Sequence, residues 1–188
     1  MGGFYWFSLA FAWPLFPYVT INVVHASVWQ IAAIASLSGL VVTATQPKFG
    51  TLIDKVGRKP ILVISRASLF LLPLLYAFAE SWLHLLAINA LLSLSMSASI
   101  VSLRAYIMDS APLGHRANYV AAVNLVSGLA TSIGSLVSGV FTSQLSVSLG
   151  VERALFIGLI FSAILRLVSS SGFLLIRETL DKSRGQGG

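Results

Sequence analysis

The stretch Gly50-Thr51-Leu52-Ile53-Asp54-Lys55-Val56-Gly57-Arg58-Lys59 is the one long charged, glycine-punctuated run in an otherwise apolar chain. Gly57 can take the positive φ of a tight reversal, and Asp54 places a carboxylate between basic neighbours. Around this island 56% of the 188 residues are hydrophobic and only 10% are charged, with a mean hydropathy of +0.88. A water-soluble domain of that composition would be coated with apolar surface, so the chain reads as a membrane protein.

Working outward from the island, the apolar blocks number six, each near the roughly 20 residues that cross a bilayer. The expected spans are about 4–24, 29–46, 60–79, 82–108, 118–145 and 153–176, which together make one transmembrane domain over 1–176. A polar tail, 177–188, follows. The first span carries Trp13, Pro14, Pro17 and Tyr18 and is expected to kink, because each proline removes a backbone donor. Pro73 is expected to bend the third span in the same way. The fifth has small residues from Ser127 to Gly139, which let another helix backbone approach closely.

The net charge of +6 and pI near 10.1 do not point to nucleic acid, since the cations flank apolar blocks without forming a continuous basic face. In a six-span arrangement Lys48, Lys55, Arg58, Lys59, Arg66, Arg104, Arg116, Arg177, Lys182 and Arg184 fall on one side, and Arg153 alone among the flanking cations falls on the other. The positive-inside rule then places both termini in the cytoplasm, in a multi-pass protein of the plasma membrane. The chain has no cysteine, which excludes disulfides, cysteine-based metal sites and thiol catalysis.

The island resembles the loop signature of the major facilitator superfamily, G-x-L-x-D-[RK]-x-G-R-[RK], with every constrained position filled. The resemblance implies an all-α membrane protein of six transmembrane helices, one half-bundle built of two three-helix repeats and half of the family's usual twelve-helix transporter. It also implies roles for the island. Gly50 and Gly57 shape the loop, Asp54 latches onto the start of the fifth helix of the opposite half, and Arg58 and Lys59 complete the motif. Arg58 turns back toward Asp109 at the end of the fourth span, and Arg116 follows in the next loop. The sequence Ala130-Thr-Ser-Ile-Gly134-Ser135-Leu-Val-Ser138-Gly139 departs from the antiporter signature G-x-x-x-G-P-x-x-G-G in its Pro and one Gly. Exchange against protons is therefore not implied, and correspondence to the carboxy-terminal half stays open.

An ionisable residue at bilayer depth is a functional candidate by default, and Arg166, midway along the sixth span, stands out in the sequence. Its two readings are a bond to helix carbonyls and a bond to an anionic solute. In the family the first and fourth helices line the cavity, so Trp13, Tyr18, Asn89 and the nearby serines are candidates for substrate contact, with Asn124 on the fifth. Each also has a plain structural reading, as interface aromatics or as polar groups bonding between helices.

No paired carboxylates, metal-ligand cluster or nucleophile with a nearby base occurs in the spans, so the chain does not read as an enzyme, and neither a cofactor nor a metal is expected. The implied function is transport of a small solute by alternating access, with the lipid bilayer as surroundings and a second half as partner. That half is a parallel homodimer mate, another polypeptide or the remainder of a longer transporter. The competing reading is a non-transporting half that binds another membrane protein.

Overall fold

The computed structural model describes residues 2–112, 114–176 and 178. Six helices among them are long and apolar enough to cross a membrane: α1 Gly2–Val23, α2 Val28–Val56, α3 Arg58–Tyr76, α4 Trp82–Ser110, α5 Arg116–Leu149 and α6 Val151–Leu175. The tail expected at 177–188 lies outside the described residues, apart from Glu178.

Prolines break α1 and α3 where the sequence indicates. In α1 the α-helix stops at Phe11, a turn runs through Pro14, and the chain resumes at Leu15 before ending in a π-turn over Val19–Val23. In α3 the break comes between Ser68 and Leu71, one turn ahead of Pro73. Pro47 behaves differently. The second span does not end near 46 but continues through Pro47 to Val56, because a proline inside a helix forfeits one backbone bond without forbidding its continuation in a membrane. Most of the charged island is consequently helix.

The reversal from α2 to α3 is a single residue, Gly57, at φ 117° and ψ 158°, a region open essentially to glycine alone. Gly150 performs the same reversal between α5 and α6, at φ 82° and ψ 159°. This matching geometry marks α1–α3 and α4–α6 as structural repeats. Packing agrees: α1 lies along α5 and α4 lies along α2, so the first helix of each repeat packs on the second helix of the other. The third helices, α3 and α6, close the bundle behind them.

Small side chains set the spacing. A Cβ on Gly134 of α5 would lie 2.5 Å from the carbonyl oxygen of Phe7, so α5 and α1 touch backbone to backbone. Ser135 donates to Ala10 O at 3.3 Å, Ser97 of α4 to Val42 O of α2 at 3.0 Å, and Ser68 of α3 to Ser95 of α4 at 2.8 Å. An apolar cluster of Leu15, Tyr76, Leu85 and Leu159 fills one end of the bundle, while Tyr5, Leu62 and Phe173 fill the other. Half of the apolar window of α1 and of α6 is buried, against 6% for α2 and α5. The two second helices are therefore the least covered by the bundle.

Candidate functional site

The charged cluster is built on the free amino-terminal end of α3. A helix leaves its first backbone N–H groups without partners and carries partial positive charge there. Glu178, just beyond α6, meets both needs: its Oε1 accepts from Arg58 N at 3.0 Å and its Oε2 from Lys59 N at 3.1 Å. The sequence places this residue in the polar tail and attaches no role to it. A carboxylate directly after the last span, on the side where an uncapped helix begins, was the signal that could have found it.

The Arg58 side chain points the other way and joins two helices. Its Nε donates to Asp109 Oδ2 at 2.8 Å, linking α3 to α4. One terminal nitrogen lies 3.0 Å from Asp54 Oδ1 and the other donates to Ile53 O at 3.2 Å, both on α2. The side chain of Arg58 is 13% exposed, whereas that of Asp54 is 67% exposed. Asp54 thus presents most of its carboxylate outward. Gly50 has open space where a Cβ would point, so no close helix approach among the described residues requires glycine there. Arg116 stands exposed at the first residue of α5 and forms no ion pair among the described residues.

A cavity of about 420 Å³ opens between α1, α2, α3, α4 and α6 and brings together three of the residues singled out from the sequence: Trp13, Asn89 and Arg166. Ser93, one turn beyond Asn89, shares its wall. Asn89 Nδ2 donates to Tyr76 Oη at 2.6 Å and to Leu85 O at 2.8 Å, so its amide is held in place by the bundle. Tyr18 lies elsewhere, in a cleft against Gly139 and Thr142 of α5, and Asn124 is exposed on α5 and lines neither space.

Arg166 is 1% exposed and bonds to helix carbonyls, donating to Leu69 O at 3.1 Å and to Leu9 O at 2.8 Å. Both acceptors exist because of prolines. The α-helical donor to Leu69 O would come from position 73, where Pro73 has no N–H, so Leu69 O keeps only a 3.3 Å bond from Leu72 N besides the one from Arg166. Pro14 likewise leaves Ala10 O without its donor, so Trp13 N turns to Ala10 O at 3.0 Å and abandons Leu9 O. One guanidinium on α6 repairs both breaks. The ring of Phe16 lies beneath it, 5.6 Å from centroid to Cζ.

Arg66 departs from the expectation that it is one of the solvent-side cations. It is 2% exposed within α3, packed against the edge-to-face rings of Tyr5 and Phe173. Eight residues separate it from Arg58, about 12 Å along a helix, and that depth was legible in the sequence.

Among known proteins, the family model of the Major Facilitator Superfamily matches residues 1–187 of the chain. No curated protein matches it.

Proposed function

The chain belongs to the Major Facilitator Superfamily and is a multi-pass membrane protein of that transporter family, and we propose that it acts as one half of an alternating-access carrier for a small solute. The observation that carries this reading is the pairing of a cavity with two helices that each leave one side exposed. The space holding Trp13, Asn89 and Ser93 is walled by α1, α2 and α4, and α2 and α5 are the least buried of the six helices. A second half set against α2 and α5 completes such a site, and rocking of the two halves opens it to each side in turn.

In this reading the second half is another copy in parallel orientation or a separate polypeptide segment. The cation distribution favours parallel copies, with both termini cytoplasmic in the plasma membrane. Trp13, Asn89 and Ser93 contact the solute, and Arg166 holds the broken helices that frame it. Asp54 is the latch: its outward carboxylate meets the amino-terminal end of the partner's α5, where a negative charge is favoured by ~0.3–1 kcal/mol. Gly50, Gly57, Arg58, Lys59, Asp109 and Arg116 shape and orient that face.

The native absence of cysteine makes the test direct. Ser93→Cys places a single thiol on the cavity wall, and a membrane-impermeant maleimide is applied from each side of reconstituted vesicles in separate experiments. Alternating access requires labelling from both sides. Labelling from one side alone overturns it and leaves the interaction-protein reading, which the uncovered α2 and α5 would also serve.

A further inference from the structure

The two buried arginines are handled differently by their surroundings. Both terminal nitrogens of Arg166 rest on carbonyls. The guanidinium of Arg66 instead sits in the corner formed by the edge-to-face rings of Tyr5 and Phe173, its Cζ 4.3 Å from each ring centroid, with Trp6 at 5.9 Å. The rings offer this cation their π-faces but no oxygen acceptor, and no hydrogen bond leaves its side chain among the described residues. Among the described residues no carboxylate pairs with it, and its buried Nε, like that of Arg166, has no acceptor. A desolvated guanidinium without an oxygen acceptor is costly in an apolar interior, and an acceptor from outside the chain removes that cost.

Arg66 also lines a cavity of about 430 Å³ at the end of the bundle where α3 begins. This space shares no wall residue with the cavity around Asn89. Its other walls are mostly apolar or aromatic, with Trp6, Leu103, Val126 and Phe173 among them, and Tyr106 and Ser127 add hydroxyls. The helices α4 and α5 scarcely touch, so the wall is thin between them, where Ala122 and Val126 are exposed. A cavity of ligand size with one buried, unpaired cation and an otherwise greasy lining selects for a particular chemistry.

We propose that this cavity binds an amphiphilic anion, with a single carboxylate or phosphate head on the N–H edge of Arg66 and an apolar body along α4 and α5. The head supplies the acceptors that the bundle lacks, in the charge-assisted geometry arginine favours. The body replaces water against the aromatic walls. Such a ligand is either a lipid entering from the bilayer or a soluble amphiphile, and the chemistry of the site is the same for both.

Trp6 reports on the site from within. In a variant with Trp13, Trp29 and Trp82 replaced by Phe, Trp6 is the one remaining tryptophan, and the full chain is placed in phosphatidylcholine nanodiscs. Bromodecanoate and bromodecanol are then titrated as quenchers. Saturable quenching is expected, with the carboxylate binding at least about tenfold tighter than the alcohol. Arg66→Gln is expected to erase that preference, and Arg66→Lys to keep part of it. Should Arg66→Gln not fold, Ala122→Phe fills the cavity from an exposed position with Arg66 intact and is expected to abolish saturation. Equal quenching by acid and alcohol, or an acid preference that survives Arg66→Gln or Ala122→Phe, overturns the site. Adding phosphatidylglycerol separates the sources: competition with bromodecanoate assigns a bilayer lipid, lack of competition assigns a soluble amphiphile, and either upholds the site.

Discussion

Gly57 and Glu178 share a space that admits no further atom: a Cβ on Gly57 would fall 2.5 Å from Oε2 of Glu178. The glycine is required twice, once for its backbone conformation and once so that the carboxylate can reach the amides of Arg58 and Lys59. Gly57→Ala is expected to lower stability by about 1–3 kcal/mol for the backbone strain, and further for the clash. Thermal unfolding in detergent, followed by tryptophan fluorescence, measures this. In the Glu178→Ala background only the backbone part should remain, so the two substitutions should couple in a double-mutant cycle. Strict additivity would show that the carboxylate does not occupy this position.

The Arg166 repair predicts an unusual suppressor. Arg166→Gln is expected to destabilise the bundle by about 2–3 kcal/mol, since two buried carbonyls lose a charged donor. Pro73→Ala supplies an N–H for Leu69 O and should recover about 1 kcal/mol of that loss, although the same substitution in the native background closes a bend that the packing uses. Unfolding midpoints of the two single variants and the double variant decide the matter. Absence of any recovery would show that the Leu69 carbonyl was not the group in need.

Asp54→Asn should separate folding from switching. The Asp54–Arg58 pair is exposed on the acid's side, and such pairs contribute about 0–1 kcal/mol, so the unfolding midpoint should barely move. Distance spectroscopy between spin labels on two associated copies should nevertheless show a shifted balance of inward-open and outward-open forms. An unchanged distance distribution would remove the latch role from Asp54.

The glycines of α5 divide into those used within the bundle and those left for a neighbour. Gly134→Val must push α5 away from the Phe7 carbonyl and is expected to be strongly destabilising, by about 2–4 kcal/mol. Gly128 and Gly139 meet nothing within 4 Å, so Gly139→Leu should leave the unfolding midpoint within about 0.5 kcal/mol of native. If α5 faces a parallel second copy, Gly139→Leu should also reduce disulfide crosslinking between Asp54→Cys in one copy and Asn118→Cys in the other. Full crosslinking with the leucine present argues against α5 as the contact.

The six-helix architecture was legible because hydrophobic blocks and proline positions are local properties. Pro14 and Pro73 announced breaks that a membrane helix can absorb, whereas Pro17 lies inside the resumed helix, and the island announced the turn at Gly57. Pro47 misled, since proline marks helix ends in water far more firmly than in lipid, where continuing the helix is the cheapest way to satisfy the backbone. Arg58 and Asp109 were brought together by the family pattern, which encodes a contact across 51 residues that no local reading contains. Glu178 and Arg66 escaped for opposite reasons. Glu178 looked like tail because its partners are backbone amides, which leave no mark in sequence, and Arg66 looked like a flanking cation because the rings that enclose it come from α1 and α6. Trp13, Asn89 and Arg166 were drawn together from three helices, whereas Tyr18 and Asn124 sit on faces that helical phase directs elsewhere.

The crossed packing of the repeats, α1 on α5 and α4 on α2, has a bearing on how the chain is made. A ribosome releases helices in order, yet neither repeat owns a finished interior. While only α1–α3 have entered the bilayer, Leu9 O lacks the guanidinium that serves it and Leu69 O keeps only its bond from Leu72 N, since Arg166 arrives on the last helix. The amides of Arg58 and Lys59 wait longer still, for Glu178 beyond it. The early helices are thus unfinished goods until synthesis is nearly complete, and a chain stopped short of α6 displays unsatisfied polar groups within the membrane, the kind of flaw by which a cell can tell an incomplete product from a complete one.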